Sequence, residues 1–417
     1  MSEQININMT ADMDDNDKAQ RQLERLQATV NRACKNVPFH RNRIQETGLS
    51  DITGLEDIEK LPFMDRTHLA THYPYGLFAV PLKDIVRIHT APGSGTSPSI
   101  SGYTKTDLMI WEKMVAGAYA EANVTDRDII LVHLPPGLAN WARDYKDGGE
   151  AIGAGVIPNA PLSVAKTLMV LRDYKVTTLV STPAFARHLT AHMFDRECHP
   201  NELNLKQIIL VGEPDDGHTV TELRESLHVD VWLNYGLSEI PGPAIAYECR
   251  YHDGLHMNDD HILPEIIGPS TGRPVPTGEK GELVLTTLSA RAFPLIRFRT
   301  GDMAKFFPQA CPCGATSTRI QWLAEQADNY MLISGIRVSQ AQVKENLKNA
   351  LKMPGIGCTM EKECRAGTDM LLISLIMDDH LFSDEIKHLQ QLITYAEETL
   401  TEQNGIKVKI RLIQQRV

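Results

Sequence analysis

Short strand patterns alternate with helical patterns through the middle of this 417-residue chain, and this alternation limits the fold more than any other feature. Residues 129–134, 178–181 and 207–211 are apolar runs of strand length. Residues 164–174 and 218–227 carry apolar residues at helical spacing. Strands that are separated by helices pair in parallel, with the helices covering the sheet. The sequence therefore predicts an α/β fold built on parallel sheets.

The composition changes twice along the chain. Residues 265–308 hold turn clusters rich in Gly and Pro between predicted strands at 282–287 and 295–298. This pattern predicts a more antiparallel, barrel-like subdomain. A compact α+β module follows, so we predict a large domain over residues 1–326 and a small C-terminal domain over residues 327–417.

Helical and strand patterns also mark the two ends of the chain. Apolar spacing predicts an amphipathic helix over residues 17–34 that packs on the large domain. Within the small domain we predict a strand at 331–333, a helix from Ser339 with Gln342 in a capping box, a strand at 370–377, a helix at 383–401 and a half-buried strand at 406–412.

Charge and composition exclude several classes of protein. A net charge of −11 without a basic stripe argues against nucleic-acid binding. The longest largely apolar run, residues 371–377, is far shorter than the roughly 20 residues that span a bilayer. The polar, acidic N-terminus does not resemble a secretory signal. We therefore expect a cytoplasmic protein without a membrane partner, whose seven cysteines are reduced or bind metal.

Three cysteines and a histidine have the spacing of a metal site. Cys249 and His256 precede the pair Cys311 and Cys313, and these side chains supply a complete tetrahedral set for a closed structural zinc ion. His252 is a rival ligand and His261 a weaker one, and free buried cysteines beside surface histidines are the other interpretation. A redox role for the cysteine pair is disfavoured, because a four-ligand site leaves no free thiol.

Three short motifs carry a family resemblance. Residues 235–239 are YGLSE, residues 299–302 are RTGD and residues 212–214 are GEP. These resemble the nucleotide and magnesium signatures of AMP-forming acid–thiol ligases, and the Cys/His set resembles the phenylacetate–CoA ligase branch. The resemblance implies the adenylate-forming enzyme fold, with a large AMP-binding domain and a small mobile C-terminal domain.

The resemblance also implies a role for each matching residue. Asp302 would bind the ribose of ATP or AMP, Glu239 would bind Mg²⁺, and Glu239 and Thr300 would be catalytic. The remaining nucleotide contacts would come from Gly212, Glu213, Pro214, Tyr235, Gly236 and Ser238, and from a phosphate loop of Gly93, Ser94, Gly95 and Thr96.

Several positions depart from the family pattern. Ser97 stands where the loop lysine is expected, and Pro92 removes one amide donor. Gln326 replaces an arginine at the hinge, whereas Asp328 keeps the hinge acid. The terminal lysine of the family is not found before Val417, so the small domain is predicted to be shortened. Loss of one charge-stabilising donor costs on the order of 10²–10³ in rate, so we expect slow adenylation and a better retained thioester step.

The predicted acid pocket also departs from the pattern. Residues 134–141 match the stretch that shapes the aryl pocket, but Pro136 replaces an aromatic residue, and Trp141 and Tyr145 lie close by. This predicts either a changed acid pocket or no acid pocket. The neighbouring charges Arg143, Asp144, Lys146 and Asp147 are interpreted as a solvated helix face.

Two hypotheses of function follow. The first is a ligase that joins a small carboxylic acid to CoA or a phosphopantetheine thiol with ATP and Mg²⁺, as a homodimer common in this branch. The second is a derived paralogue that moves acyl groups to an acyl carrier protein, or a non-catalytic partner in a biosynthetic complex of the polyketide type. The intact YGLSE and RTGD motifs favour the first hypothesis, and the altered loop and hinge favour the second.

Overall fold

The computed structural model describes most of the chain. The described residues are 15–91, 99–160, 162–215, 217–240, 242–328, 330–351, 353, 357–365, 368–377 and 386–414. The ten α-helices of this part, α1 to α10, are Asp15–Asn36, Pro38–Glu46, Arg66–Thr71, Lys105–Glu121, Ala139–Ala151, Val164–Asp173, Pro183–Asp195, Thr219–Leu227, Gln340–Leu351 and Ile386–Asn404. No helix of this part combines the length and the apolar character that crossing a membrane requires.

The described part also contains eighteen strands. Strands β1 to β9 are Arg87–Ala91, Ser99–Tyr103, Ile129–His133, Gly155–Ile157, Thr178–Ser181, Gln207–Val211, Asp230–Tyr235, Ala246–Glu248 and Leu255–Met257. Strands β10 to β18 are Ile262–Ile267, Gly281–Thr287, Phe298–Phe306, Arg319–Gln326, Tyr330–Ile333, Ile336–Ser339, Cys358–Arg365, Thr368–Met377 and Lys407–Gln414.

One mixed sheet of eleven strands forms the large domain, in the order β10-β11-β12-β13-β9-β8-β7-β6-β5-β3-β4. Strands β3 to β7 pair in parallel, as the alternating pattern predicts. Strands β8 to β13 pair antiparallel and continue the same sheet, so the predicted antiparallel region is an extension of the parallel one. The α/β fold is confirmed.

Strands β3, β5, β6 and β7 are buried on both faces, which explains their apolar runs, whereas β4 is a partly exposed edge strand. Val132, Val180 and Ile209 point into a core that they share with Trp141 and Tyr235. Alternate residues on the same strands point to the opposite core, which is covered by α6, α7 and α8 and contains Leu131, Leu179, Ile208, Leu210, Leu189 and Leu223. Two packed layers therefore fix the position of the strand ends.

The predicted strand at 295–298 is wrong, because β12 begins only at Phe298. Arg297 has a φ of +48°, which interrupts an extended chain. Its buried guanidinium binds Glu265, with Nη2 to Oε1 at 2.7 Å, and donates from Nη1 to the carbonyls of Glu59 and Leu61. The turn at Arg297 accompanies a buried ion pair with Glu265. Strand prediction from the number of apolar residues does not detect such a pair.

The small domain combines the hairpin β14-β15, the sheet β16-β17-β18 and helices α9 and α10. Strand β18 pairs in parallel with β17, and their apolar faces pack on both helices. The backbone N–H of Gln342 donates to Ser339 Oγ at 3.3 Å, but the Gln342 side chain contacts Asn346, so the capping box is incomplete. The predicted boundary falls between β13 and β14, and its position stays a prediction.

Helix α1 packs along the large domain, as its apolar spacing predicts. Leu26, Val30 and Ala33 belong to a buried cluster with Leu288 and Ile296. At its N-terminal end, Lys18 Nζ binds Asp259 Oδ2 at 2.7 Å and the carbonyl of Thr316 at 2.9 Å.

Candidate functional site

The candidate site lies at the carboxyl ends of the parallel strands, where open α/β sheets bind their ligands. Tyr235 is the last residue of β7, and Gly212 follows β6 with a φ of +91°. Glu239 lies on the loop after β7, and strand β12 of the antiparallel part of the sheet contributes Thr300 and Asp302. The topology therefore brings the YGLSE, RTGD and GEP motifs to one crevice.

Asp302 is a buried carboxylate whose two oxygens both accept hydrogen bonds. The Tyr235 hydroxyl donates to Oδ2 at 2.9 Å, and Arg337 of β15 donates through Nη2 to Oδ1. Burial and the charge of Asp302 raise the pKa of Tyr235 well above its ordinary value. The phenol therefore stays protonated and remains a donor.

The Thr300 hydroxyl is engaged by the backbone. It donates to the carbonyl of Leu283 at 2.7 Å and accepts from the N–H of Asp302 at 3.0 Å. The side chain is fully buried. In this arrangement Thr300 fixes the path of β12 beneath Asp302.

Glu239 forms a buried ion pair with Arg66. Arg66 Nε lies 2.7 Å from Glu239 Oε1, and Nη1 donates to the carbonyl of Thr300 at 2.8 Å. Burial opposes ionisation of Glu239, but the charge and hydrogen bond of Arg66 outweigh it and lower the pKa of Glu239. The carboxylate is therefore charged, as a magnesium ligand must be.

Glu213 contacts the small domain. Lys362 Nζ of β16 lies 2.6 Å from Glu213 Oε2 and 2.9 Å from Asp369 Oδ2. The backbone N–H of Gly335 donates to Glu213 Oε1 at 3.3 Å. Burial alone would lower the pKa of Lys362, but the two carboxylates outweigh it and raise that pKa. The lysine is therefore a partly exposed cation shared between the two domains.

The backbones of the two domains meet at the same place. A Cβ on Gly212 would lie 3.0 Å from Gly335 Cα, and a Cβ on Gly137 would lie 1.9 Å from Ile336 Cδ1. Side chains at either glycine would separate the hairpin β14-β15 from the strand ends. The small domain is thus seated directly on the crevice.

The other predicted nucleotide contacts have mixed outcomes. Gly236 lies in the crevice, where a Cβ would approach Pro243 Cα to 2.9 Å. Ser238 and Pro214 flank it and are partly exposed. The predicted phosphate loop of Gly93, Ser94, Gly95 and Thr96 lies between β1 and β2, outside the described residues.

The predicted metal ligands come together. One ligand atom each from Cys249, His256, Cys311 and Cys313 lies within 4.8 Å of the others. Cys249 Sγ and Cys311 Sγ are 3.6 Å apart, and Cys313 Sγ is 3.5 Å from His256 Nε2. His256 Nδ1 contacts Ser317 Oγ at 2.8 Å, which leaves Nε2 for a metal. Three thiols and one imidazole fit a tetrahedral zinc ion.

The two rival histidines have other partners. His252 Nδ1 contacts Glu248 Oε2 at 3.0 Å, and its ring packs 4.5 Å from that of Trp232. His261 Nδ1 contacts Ser289 Oγ at 2.7 Å. Neither belongs to the four-residue cluster.

The helix beside the predicted acid pocket corrects one interpretation. Trp141 and Tyr145 of α5 are buried in the core, but so is Asp144, which we predicted on a solvated face. Arg87 of β1 binds Asp144 Oδ1 at 3.1 Å and Asp147 Oδ2 at 2.9 Å. Burial raises the pKa of Asp144 to about 8 against the opposing charge of Arg87. The prediction is wrong because the β1-β2 hairpin covers this face of the helix.

Three basic residues of the site were not predicted. Arg66, Arg337 and Lys362 each contact a predicted nucleotide residue across a long stretch of chain. Arg337 lies between two apolar residues of β15. This alternation is the one sequence signal that marks it. Partners that distant in sequence become visible only in the folded chain.

Comparison with known proteins identifies the family to which this chain is related. Residues 151–289 match the family of AMP-binding enzymes. A phenylacetate–coenzyme A ligase of Thermus thermophilus is 35% identical over 326 residues, covering 78% of this chain and 73% of that protein. A ligase of the same name from Pseudomonas putida is 35% identical over 335 residues, covering 79% and 75%. The one from Escherichia coli is 32% identical over 331 residues, covering 78% and 75%.

Solved structures share the fold. A 2-hydroxyisobutyryl-CoA ligase with 2-HIB-AMP and CoA, in its thioesterification state, superposes with a TM-score of 0.88 at 23% identity, covering 97% of this chain and 88% of that one. In a postadenylation state with 2-HIB-AMP, the ligase superposes with a TM-score of 0.71 at 23% identity, covering 96% and 87%.

Asp144 generates a prediction about pH. An unfolded aspartate titrates near pH 3.9, whereas the folded carboxyl keeps its proton up to about pH 8. The folded state therefore binds more protons between these values, and stability falls as the pH rises through this window. We expect Asp144→Asn to remove this loss, which reaches at most about 1.4 kcal/mol per pH unit.

The measurement is urea denaturation of both proteins from pH 4 to pH 9. Asp147→Asn, which removes the other carboxylate on Arg87, controls for the lost ion pair. Parallel stability curves for wild type and Asp144→Asn would contradict the assigned titration.

Proposed function

Because this chain belongs to the phenylacetate–coenzyme A ligase branch of the AMP-binding enzymes, we propose that it is an AMP-forming acid–thiol ligase with an impaired adenylation step. In the first step a carboxylic acid reacts with ATP to give acyl-AMP and pyrophosphate. In the second step a thiol attacks acyl-AMP to give a thioester and AMP. The observation that carries the proposal is the convergence of Tyr235, Glu239 and Asp302 on one crevice.

Each of these residues has a role in the proposal. Asp302 binds the ribose hydroxyls, Glu239 binds Mg²⁺ and Tyr235 lies beside the adenine, together with residues 212–214. Two buried carboxylates and a buried phenol in a crevice beside the carboxyl ends of parallel strands are suited to this binding. The Thr300 hydroxyl supports Asp302 by accepting a hydrogen bond from its backbone N–H.

The proposed impairment concerns adenylation. Ser97 and Gln326 supply no positive charge where the family pattern has a lysine and an arginine. Glu239 is paired with Arg66, so magnesium must compete with a buried guanidinium for this carboxylate. Each of these features weakens the stabilisation of the negative charge that develops on the phosphates during adenylation.

The position of the small domain against the strand ends supports a retained thioester step. The chain superposes better on the thioesterification state of the 2-hydroxyisobutyryl-CoA ligase than on its postadenylation states. A cleft between the domains, lined by Arg187, His188, Glu213 and Lys362, has a volume of about 600 Å³. It offers a path for the pantetheine arm of CoA or of a carrier protein.

The substrate acid enters a pocket that differs from that of the aryl ligases. Pro136 begins a short helical turn before α5, and Trp141 and Tyr145 contribute their apolar surfaces to the core. We propose a small-molecule carboxylic acid as the substrate, and the acid panel of the exchange assay identifies it.

The Cys/His cluster holds a structural zinc ion in this proposal. Four protein ligands leave no open position, so the metal ties the β8-β9 segment to the loop after β12 and takes no part in the reaction. The ion contributes folding free energy.

A second candidate is acyl transfer to an acyl carrier protein, or a non-catalytic role in a biosynthetic complex. The observation that favours it is that Glu213, Glu239 and Asp302 are all paired with basic side chains. The domain boundary at residue 326, the homodimer and the cytoplasmic location stay predictions.

The proposal is tested by measuring the two half-reactions separately. The first assay follows acid-dependent exchange of labelled pyrophosphate into ATP with a panel of aryl and fatty acids. The second supplies synthetic acyl-AMP and CoA and follows the thioester. We expect thioester formation from acyl-AMP to exceed the complete reaction by on the order of 10²–10³, the cost of a lost charge-stabilising donor.

Asp302→Asn should reduce both rates because it weakens ribose binding, whereas the surface variant Arg365→Gln serves as the matched control. Absence of product in both assays would reject the ligase proposal. Acyl transfer from a CoA thioester to a phosphopantetheinylated carrier would then support the second candidate.

Metal removal gives a further prediction. The wild-type protein should contain about one zinc ion per chain, measured by plasma mass spectrometry. Cys311→Ser should lose most of the zinc and unfold at a lower temperature, because a ligand of the closed site is gone. Cys198→Ser lies outside the cluster and is the control. Equal zinc content in both variants would contradict this site.

A further inference from the structure

We propose that the N-terminal half of helix α1 completes the metal site, with Lys18 and Gln22 as positioning residues that act through Asp259. Docking of this half of the helix and binding of the metal then stabilise each other. The inference rests on the structural zinc ion of the proposed function and is independent of the ligase activity. It concerns residues outside the four-ligand cluster.

One face of α1 contacts the segment between β9 and β10. Lys18 and Gln22 are four residues apart, so their side chains lie on the same side of the helix. Lys18 Nζ binds Asp259 Oδ2 at 2.7 Å, and Gln22 Nε2 donates to the backbone carbonyl of Asp259 at 2.7 Å. Gln22 and Asp259 are both buried. Water therefore competes little for these contacts, in contrast to an exposed ion pair, which contributes little to stability.

Asp259 connects the helix to the metal loop, which we define as residues 311–318. Its Oδ2 also accepts a hydrogen bond from the backbone N–H of Thr318 at 2.7 Å. Lys18 Nζ additionally donates to the carbonyl of Thr316 at 2.9 Å. Helix α1 thus holds the metal loop at two places, directly at Thr316 and through Asp259 at Thr318.

The residue between these two contacts touches a metal ligand. Ser317 Oγ lies 2.8 Å from His256 Nδ1, and this contact leaves Nε2 for the metal. Arg319, which follows Thr318, pairs with His256 across strands β13 and β9. Groups that contact the second nitrogen of a ligand histidine fix the orientation of its ring. Release of residues 316–318 from α1 would therefore loosen the imidazole and weaken metal binding.

Helix α1 also forms a wall of the space beside the ligands. Lys18 and Arg21 line a cavity of about 220 Å³ together with Cys249, His256 and Cys313. A chelator that removes the metal would approach the ligands through this space. Undocking of the helix would widen the approach, so metal release should become faster as well as more favourable.

The C-terminal half of α1 is held by other contacts. Leu26, Val30 and Ala33 pack in a buried apolar cluster with Leu288 and Ile296. Loss of the metal should therefore release the first turns of the helix and leave the rest packed. By thermodynamic linkage, the factor by which docking raises metal affinity equals the factor by which the metal favours docking.

The first experiment follows the transfer of zinc from the loaded full-length protein to a chromogenic chelator. We expect Lys18→Gln to release zinc about tenfold faster than the wild-type protein, since losing an outer partner of a metal ligand costs on the order of 10–100-fold in affinity. Lys18→Arg keeps the charge and should restore most of the wild-type rate. Lys35→Gln removes an exposed lysine from the last turn of the same helix and is the matched control.

Equal rates of zinc release from the wild-type protein and Lys18→Gln would overturn the proposal. The same acceleration in Lys35→Gln would also overturn it, because the effect would then reflect general loosening of the helix. Failure of Lys18→Arg to slow the release would show that the lysine has no role through its charge and would count against the proposal.

The second experiment compares hydrogen exchange of the zinc-loaded and the chelator-treated protein by mass spectrometry. Backbone amides of residues 19–25 should exchange faster after zinc removal, and those of residues 28–36 should change less. Lys18→Gln should show faster exchange of residues 19–25 even with zinc bound. Unchanged exchange of residues 19–25 after zinc removal would contradict the linkage.

The two experiments separate this inference from the proposed function. A wild-type protein that holds no zinc would reject the zinc site and this inference together. One zinc ion per chain with no effect of Lys18→Gln would reject this inference alone. Neither experiment uses a substrate, so failure of the ligase proposal would leave both results valid.

Discussion

A buried carboxylate must find a partner, and this requirement organises the site. Asp302 lies within β12, and Glu239 and Glu213 lie on the loops after β7 and β6. All three side chains are buried, so protein groups rather than water must satisfy them. They pair with Arg337, Arg66 and Lys362, respectively. Two of these cations belong to the small domain, so satisfying the carboxylates also fixes the position of that domain.

The sheet holds the side chains of the site in the positions that these contacts require. Strands β6 and β7 are packed on both faces, and their carboxyl ends therefore hold Gly212 and Tyr235 in place. The antiparallel extension brings β12, and with it Asp302, to the same crevice. Close approach of Gly212 to Gly335 lets the small domain reach these ends. A scaffold of buried strands thus positions the carboxylates against the basic side chains of the small domain.

Much of the fold could be predicted from the sequence. The strands at 178–181 and 207–211 have the predicted bounds, because a run of apolar residues of strand length has few alternatives in an α/β chain. The metal cluster was also predictable, since thiols and imidazole at this spacing have a restrictive chemistry. The turn at Arg297, which replaces the predicted strand at 295–298, could not be predicted, because Arg297 pairs with the distant Glu265.

The same limit applies to the site. Motifs identified Asp302 and Glu239, but their partners Arg337 and Arg66 lie on other elements and leave no local pattern. Asp144 was placed on the surface because a charged helix face is usually solvated, and only the folded hairpin shows that it is covered. Pairing of distant charges is a property of the tertiary structure.

The most direct test is a crystal structure of the protein with AMP bound. The account predicts that the ribose hydroxyls donate to Asp302 and that the adenine lies beside Tyr235 at the carboxyl ends of the parallel strands. AMP bound away from Asp302 and Tyr235 would contradict it.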